Sequence, residues 1–189
     1  SFIDYSKCSI GKKKHLEISF CSRLEPKKNP MLFLEAAREI LKEFPVVKFH
    51  LLGEGRLEAE LRNYITKHGL QSSIDLRFHV NPPEVFAESS VFVTLQEGTN
   101  YPSQSLLEAM ACGNAVIAGN TGDTELLVND SNGILTELNH GSVVSAMRTL
   151  IADKGLAKTL GIAASKTARE EHTIEKMTDY YITLIKKAT

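Results

Sequence analysis

One carboxylate occupies the most apolar stretch of the 189-residue chain. The segment Asn100–Gly113 lies between two apolar runs, Val91–Leu95 and Ala115–Ala118, and carries leucine, alanine and methionine at helical spacing. Glu108 falls within this helix, among neighbours that offer it little polar company. A solvent-facing position is one interpretation of such a residue. An ionised carboxylate in apolar surroundings needs a partner, so we interpret Glu108 as a ligand-binding residue.

Two cations follow the first predicted strand, Leu16–Cys21. Arg23 and Lys28 would both reach over the carboxyl end of that strand. A guanidinium and an ammonium group held together neutralise a diphosphate well. The alternative is that they are two surface cations among the 22 Lys and Arg residues of the chain, which would be favoured if they stood alone.

Glycine-containing turns follow two further strands. Gly53–Gly55 lacks the third glycine of a dinucleotide-binding fingerprint, so a tight strand-to-helix turn is the better interpretation. Thr121–Glu125 places small residues at a helix N-terminus, where free backbone N–H groups can bind an oxyanion. An ordinary capping motif would have a similar sequence, and both interpretations stay open.

Alternating apolar runs and amphipathic segments predict the fold. Strands are expected at Leu16–Cys21, Val46–Leu52, Ile74–Val80, Val91–Leu95, Ala115–Ala118 and Ile134–Leu135. Helices are expected near Pro30–Leu41, Leu57–Ile65, Pro82–Glu88, Asn100–Gly113, Ser142–Asp153, Gly155–Glu170 and Ile174–Lys187. This rhythm predicts an α/β fold, a Rossmann-like three-layer α/β/α sandwich with a parallel sheet of about six strands. Ligands bind at the carboxyl ends of such strands, where the loops Ser22–Asn29, Gly53–Arg56, Val80–Pro83, Gln96–Ser103 and Gly119–Glu125 would meet.

Composition narrows the classes of partner. Hydrophobic residues make up 42% of the chain and charged residues 24%, as in an ordinary globular domain. The formal net charge of −1 gives no reason to expect nucleic acid as a partner. Three cysteines without CxxC spacing indicate reduced thiols, and no apolar run is long enough to span a membrane. We therefore expect a cytoplasmic protein.

Five short motifs, taken together, carry a family resemblance. They are Ser22-Arg23-Leu24-x-x-Lys27-Lys28, Leu51-Leu52-Gly53-Glu54-Gly55, Ser105–Gly113 (SLLEAMACG), Gly122-x-x-Glu125 and Asp130-x-Asn132-Gly133. In this order and spacing they resemble the C-terminal, donor-binding half of retaining glycosyltransferases with the two-domain GT-B fold, of the family-4 or group 1 type. The resemblance extends from about Ile18 to the C-terminus.

The resemblance implies roles for the charged residues. Arg23 and Lys28 match the basic pair that holds the donor diphosphate and stabilises it as it departs, in place of a metal ion. Glu108 matches the second Glu of the family's E-x7-E motif, which accepts hydrogen bonds from the ribose hydroxyls of the donor.

The resemblance also implies backbone contacts to the donor. Ser105 and Leu106 would meet phosphate through their backbone, although Leu106 also suits a core position. Gly122, Asp123 and Thr124 match the family's glycine-rich loop against phosphate or sugar. The base would lie near His79–Asn81.

The sequence departs from the family pattern at the first Glu of E-x7-E. Counting back eight residues from Glu108 reaches Asn100, while Glu97 lies three residues earlier. Either Asn100 bonds the sugar as a neutral group, or the loop folds so that Glu97 substitutes for it. Asn29 also stands where the family usually has glycine.

The resemblance implies the following organisation and function. Residues 1–15 would be a linker or edge segment, and residues 16–189 would bind a UDP- or GDP-sugar for transfer to a glycan or lipid-linked acceptor, without a metal cofactor. An N-terminal acceptor domain of the same protein would be the main partner, and the full-length protein could associate peripherally with a membrane. The chain alone is expected to bind nucleotide and to transfer nothing. A GT-B sugar-nucleotide epimerase and a non-catalytic partner subunit are the alternatives.

Overall fold

A parallel sheet of six strands forms the centre of the computed structural model, which describes residues 5–79, 81–99 and 103–188. The strands are β1 (Lys14–Cys21), β2 (Lys48–Leu52), β3 (Ile74–Arg77), β4 (Ser89–Thr94), β5 (Ala115–Gly119) and β6 (Gly133–Thr136). The helices are α1 (Pro30–Glu43), α2 (Glu58–Lys67), α3 (Pro82–Glu88), α4 (Gln104–Ala111), α5 (His140–Ala152), α6 (Lys154–Glu171) and α7 (Ile174–Ala188). The predicted fold is confirmed.

The order of the strands locates the ligand-binding edge. The sheet runs β3-β2-β1-β4-β5-β6, and every neighbouring pair is parallel. The chain builds outward from β1 to β3 and then returns to the other side of β1 with β4. This reversal places the switch point between β1 and β4, whose carboxyl ends diverge into loops on opposite sides of a crevice.

Helices cover both faces of the sheet because successive strand residues point to opposite sides. Val91 and Val93 pack into one buried cluster with side chains of α1, α2 and α5. Phe92, between them, packs into the other cluster with side chains of α3, α4 and α6. Each face of β4 is therefore buried, which explains its continuous apolar sequence.

Capping residues account for the differences between predicted and observed helix ends. α5 begins at His140 rather than near Ser142, because the Asn139 side chain accepts a hydrogen bond from the Ser142 N–H at 2.9 Å. Asp153 ends α5 as predicted, as its C-cap residue, and it also caps α6 by accepting from Leu156 N at 2.8 Å.

The last helix, α7, exposes apolar side chains on the surface. Tyr180, Tyr181 and Ile185 are 62%, 56% and 63% exposed. Among the described residues, no helix combines the length and the apolar character required to cross a lipid bilayer.

Candidate functional site

A cleft of about 380 Å³ lies at the switch point, between the carboxyl ends of β1 and β4. Its volume is within the range of small-molecule sites. Residues from the two strand ends, the loops that follow them and the first turns of α4 line it: Cys21, Ser22, Arg23, Lys28, Thr94, Gln96, Ser103, Gln104, Ser105 and Glu108. The structure thus brings together four of the residues singled out in the sequence: Arg23, Lys28, Ser105 and Glu108.

The loop after β1 supplies the cationic wall. Arg23 is exposed, whereas Lys28 ends a short 3-10 helix, Pro26–Lys28, and is half-buried. The Lys28 ammonium donates a hydrogen bond to Gln96 Oε1 at 2.9 Å. Burial lowers the pKa of Lys28, and the nearby charge of Arg23 lowers it further. Two cations that raise each other's electrostatic energy in this way favour the binding of an anion.

The opposite wall is the N-terminus of α4. Ser103 is its N-cap residue, and the Ser103 side chain does not accept a hydrogen bond from the first N–H groups of the helix. Ser103 Oγ instead lies 3.5 Å from Ser105 Oγ. Free N–H groups and the positive end of the helix dipole therefore meet the cleft, which adds to its preference for anions.

Glu108 lies one turn further along α4, on the same side as Gln104. The Gln104 side-chain amide donates to Glu108 Oε1 at 3.0 Å. The carboxylate therefore has a polar neighbour, whereas the sequence predicted mostly apolar surroundings. Burial raises the pKa of Glu108, while Gln104 and the charge of Lys7 act in the opposite direction. The carboxylate retains acceptor capacity that a bound diol could use.

Cys21 lies in the cleft next to these charged groups. Burial and the charge of Glu108 raise the pKa of its thiol to about 12. The thiol is therefore protonated at neutral pH and is a poor nucleophile.

Several other predicted residues belong to loops beside the cleft and do not line it. Glu97 is exposed, and its Oε1 accepts from Asn29 Nδ2 at 3.4 Å. Gly122, in the loop after β5, packs closely against the loop after β4. A β-carbon added to Gly122 would lie 2.8 Å from the Thr99 α-carbon. Asp123 and Thr124 follow at the start of a 3-10 helix, Thr124–Leu126. The loops after β4 and β5 are thus in contact with each other.

Two further predicted residues, Leu106 and His79, do not line the cleft with their side chains. The Leu106 side chain is 2% exposed and belongs to the core, which leaves only its backbone for a ligand. His79 Nδ1 accepts a hydrogen bond from Asn81 N at 3.0 Å, and the ring is not part of the cleft. Asn100 lies outside the described residues.

Two of the sequence motifs have structural roles. The Gly53–Gly55 turn packs against the loop after β1: Leu24 N donates to Glu54 O at 2.8 Å, and an added β-carbon at Gly55 would meet Leu24 O at 2.7 Å. The tight turn is therefore the correct interpretation of this segment. Asn132 is 2% exposed, and its amide donates to Leu127 O at 2.9 Å, so it shapes the turn before β6.

Two residues of the site, Gln96 and Gln104, were not predicted from the sequence. Gln104 could have been found, because it precedes Glu108 by four residues and therefore shares its helix face. The only sequence feature that pointed to Gln96 was its position directly after a strand. The role of an uncharged amide cannot be inferred until its hydrogen-bond partner is known.

Together these residues suit a ligand with two features. Arg23, Lys28 and the N-terminus of α4 can bind a group with more than one negative charge. Glu108 can accept two hydrogen bonds from adjacent hydroxyls. A diphosphate joined to a pentose has both features.

The sequence matches the family model of the Glycosyl transferases group 1 over residues 6–167. Among curated proteins, it is 30% identical over 190 residues to UDP-Gal:alpha-D-GlcNAc-diphosphoundecaprenol alpha-1,3-galactosyltransferase of Escherichia coli, covering 92% of this chain and 47% of that protein. The chain spans 34% to 47% of the length of the first three curated relatives.

Solved structures share the fold. TarM of S. aureus, crystallised with UDP among other ligands, superimposes with a TM-score of 0.84 at 23% identity, covering 97% of this chain and 38% of that one. The C-terminal domain of a glycosyl transferase group 1 family protein, LpcC of Francisella tularensis, gives a TM-score of 0.75 at 25% identity, with 89% of this chain and 90% of that one covered.

Proposed function

Because this chain belongs to the Glycosyl transferases group 1 family, we propose that it binds the nucleotide-sugar donor of a retaining glycosyltransferase. In this proposal residues 16–189 form the donor-binding domain. The sugar passes from the donor to a glycan or lipid-linked acceptor.

The cleft at the switch point is the observation that carries the proposal. Arg23 and Lys28 line it from the loop after β1, while Glu108 lines it from α4. We assign the diphosphate to the two cations and the N-terminus of α4, where Ser105 and the Leu106 backbone lie. We assign the ribose hydroxyls to Glu108.

The two cations also suggest how the leaving group is stabilised. When the bond from the sugar to the diphosphate breaks, negative charge grows on the departing oxygen. Fixed cations lower the barrier most when they lie where that charge develops. Arg23 and Lys28 would supply the compensating positive charge without a metal ion. Because the pKa of Lys28 is lowered, its ammonium is a stronger hydrogen-bond donor to the departing oxygen.

UDP is the nucleotide that we favour over GDP. The E. coli relative is named for a UDP-galactose donor, and TarM was solved with UDP. In our proposal the loops that carry His79, Glu97 and Gly122–Thr124 close around the base and the sugar when the donor binds, and Glu97 or Asn100 contacts the sugar.

The cleft favours a transferase over the epimerase alternative. Of the ten residues that line it in the described part of the chain, Glu108 alone carries a carboxylate and none is a histidine. An epimerase would need further acid and base groups.

The whole protein would carry the acceptor site on a second domain. The chain spans less than half the length of its first curated relatives, and α7 exposes Tyr180, Tyr181 and Ile185. We propose that this apolar surface contacts that domain. The chain by itself should then bind nucleotide without transferring sugar.

Titration calorimetry of the 189-residue chain with UDP, GDP and ADP tests the proposal. UDP should bind, and Glu108→Ala should weaken UDP binding by roughly tenfold or more, since it removes an acceptor for two hydroxyls. Glu60→Ala is the matched control, because Glu60 is exposed on α2, away from the cleft. Failure of all three nucleotides to bind, or full affinity in Glu108→Ala, would refute the assignment.

A further inference from the structure

The partner of Lys28 is a buried, neutral side chain. Lys28 Nζ donates to Gln96 Oε1 at 2.9 Å, and Gln96 is only 7% exposed although it lines the cleft. An ammonium group has hydrogens to donate and no lone pair to accept with, so the oxygen of the amide must face it. The contact therefore fixes both the lysine and the orientation of the amide.

Three hydrogen bonds hold the segment around Gln96 in place. Thr121 Oγ1, from the loop after β5, donates to the backbone oxygen of Gln96 at 2.8 Å. Glu97 N donates to Lys27 O at 2.7 Å, and Asn29 Nδ2 donates to Leu95 O at 2.9 Å. Gln96 is thus fixed by the loops after β1 and β5.

The neutrality of Gln96 matters because Lys28 is near a second cation. Burial and Arg23 both disfavour the charged form of Lys28. An amide oxygen stabilises the ammonium group and leaves its charge available to a ligand. A carboxylate at the same place would also hold the lysine, but it would cancel the charge that an anion requires.

We infer that Gln96 is a positioning residue that fixes the Lys28 ammonium for the terminal phosphate of the donor nucleotide. This rests on the function proposed above. Gln96 acts through Lys28, so its removal should weaken the contribution of the second phosphate and spare the remainder of the nucleotide.

The test compares the affinities of UDP and UMP, measured by calorimetry, in two variants of the full chain. Gln96→Met keeps the volume of the side chain and removes the acceptor. It should weaken UDP binding roughly tenfold, the cost of a charge-assisted hydrogen bond, and UMP binding by less than about twofold. Gln96→Glu keeps an acceptor but neutralises Lys28, so its preference for UDP over UMP should fall further.

Lys27→Met is the matched control. Lys27 is the neighbouring cation, and its exposed side chain does not line the cleft, so this variant should keep the wild-type ratio of the two affinities. An unchanged ratio in both Gln96 variants, or equal losses for UMP and UDP, overturns the inference even if the wild type binds UDP. Absence of UDP binding in the wild type overturns the proposed function as well. Should Gln96→Met fail to fold, Gln96→Glu retains shape and acceptor and must still lose the UDP preference.

Discussion

Gly53 packs directly against the carbonyl oxygen of Ser22, and no β-carbon fits between them. The backbone N–H of Ser22 donates a hydrogen bond to Leu52 O at 3.0 Å, which ties the start of this loop to the end of β2. The turn after β2 therefore supports the loop that carries Arg23, although Gly53 itself does not line the cleft.

Gly53→Ala should destabilise the fold strongly because the new methyl group would overlap backbone that cannot move cheaply. We expect the free energy of unfolding to fall by more than about 2 kcal/mol, measured by chemical denaturation. Gly69→Ala is the control: Gly69 also has a positive φ of 66°, but nothing lies within 4 Å of an added β-carbon. Its cost should be about 1 kcal/mol, from backbone conformation alone. Equal effects of the two substitutions would contradict the proposed overlap.

The backbone conformation and side-chain contacts of Asn29 explain how asparagine can occupy a position where the family usually has glycine. It has a φ of 51°, in the left-handed region, where asparagine is better tolerated than most residues. Its side chain donates to Leu95 O at 2.9 Å and to Glu97 Oε1 at 3.4 Å. Asparagine is thus less suited than glycine to the left-handed backbone, but its side chain adds hydrogen bonds to the loop after β4.

Asn29→Gly and Asn29→Ala separate these two contributions. Glycine should cost about 1 kcal/mol, for the lost hydrogen bond to Leu95. Alanine should cost about 1 kcal/mol more, because it also pays for the left-handed conformation. Denaturation midpoints of the two variants measure the difference. Alanine proving as stable as glycine would show that the backbone at residue 29 is not held left-handed.

The sequence predicted the sheet well because burial on both faces leaves a simple signal. Val91, Phe92 and Val93 form an unbroken apolar run, and such runs mark the central strands of a parallel sheet. The ends of elements were less predictable. Asn139 and Asp153 both could have been helix interior or cap residues, and only the folded backbone decides which N–H each one accepts from.

The site was predictable to the extent that it depends on charge. Arg23, Lys28 and Glu108 are conspicuous at strand and helix ends, and the structure places all three around one cleft. Gln96 was not predictable, because its importance depends on a contact between residues 68 positions apart. The position of Glu97 likewise depends on Asn29, which the sequence places on a different loop.

Glu108 should lower the stability of the free protein at neutral pH. Its pKa is raised by burial in the folded state, so the folded state binds the proton more tightly than the unfolded chain does. Ionisation therefore costs stability, and the cost appears as the pH rises from the ordinary value of 4.5 through the folded-state pKa. Glu108→Gln should raise the melting temperature at pH 7, and the gain should shrink toward pH 4.

Glu43→Gln is the control with the opposite sign. Arg148 donates to both carboxylate oxygens of Glu43 and lowers its pKa. The stability that Glu43 contributes is present above pH 4.5 and is lost as the pH falls through its depressed folded-state pKa, so Glu43→Gln should be destabilising at pH 7. A Glu108→Gln variant that melts below the wild type at pH 7 would argue against a desolvated carboxylate.

Cys21 provides a chemical probe of the charge on Glu108. The thiol lines the cleft, but burial and the negative charge of Glu108 raise its pKa to about 12. Iodoacetamide reacts with the thiolate, so alkylation of Cys21 in the native protein at pH 8 should be far slower than in the unfolded chain. Glu108→Gln removes the charge that disfavours the thiolate and should accelerate the reaction several-fold, as followed by mass spectrometry of the peptide that contains Cys21.

Cys112 is the internal control, because it is fully buried and far less accessible to the reagent. Its alkylation should stay slow in both proteins. If Glu108→Gln accelerates Cys112 as much as Cys21, the variant has loosened the fold and the two groups are not coupled through charge. If neither rate changes while the fold is intact, Glu108 does not control the electrostatics of the cleft.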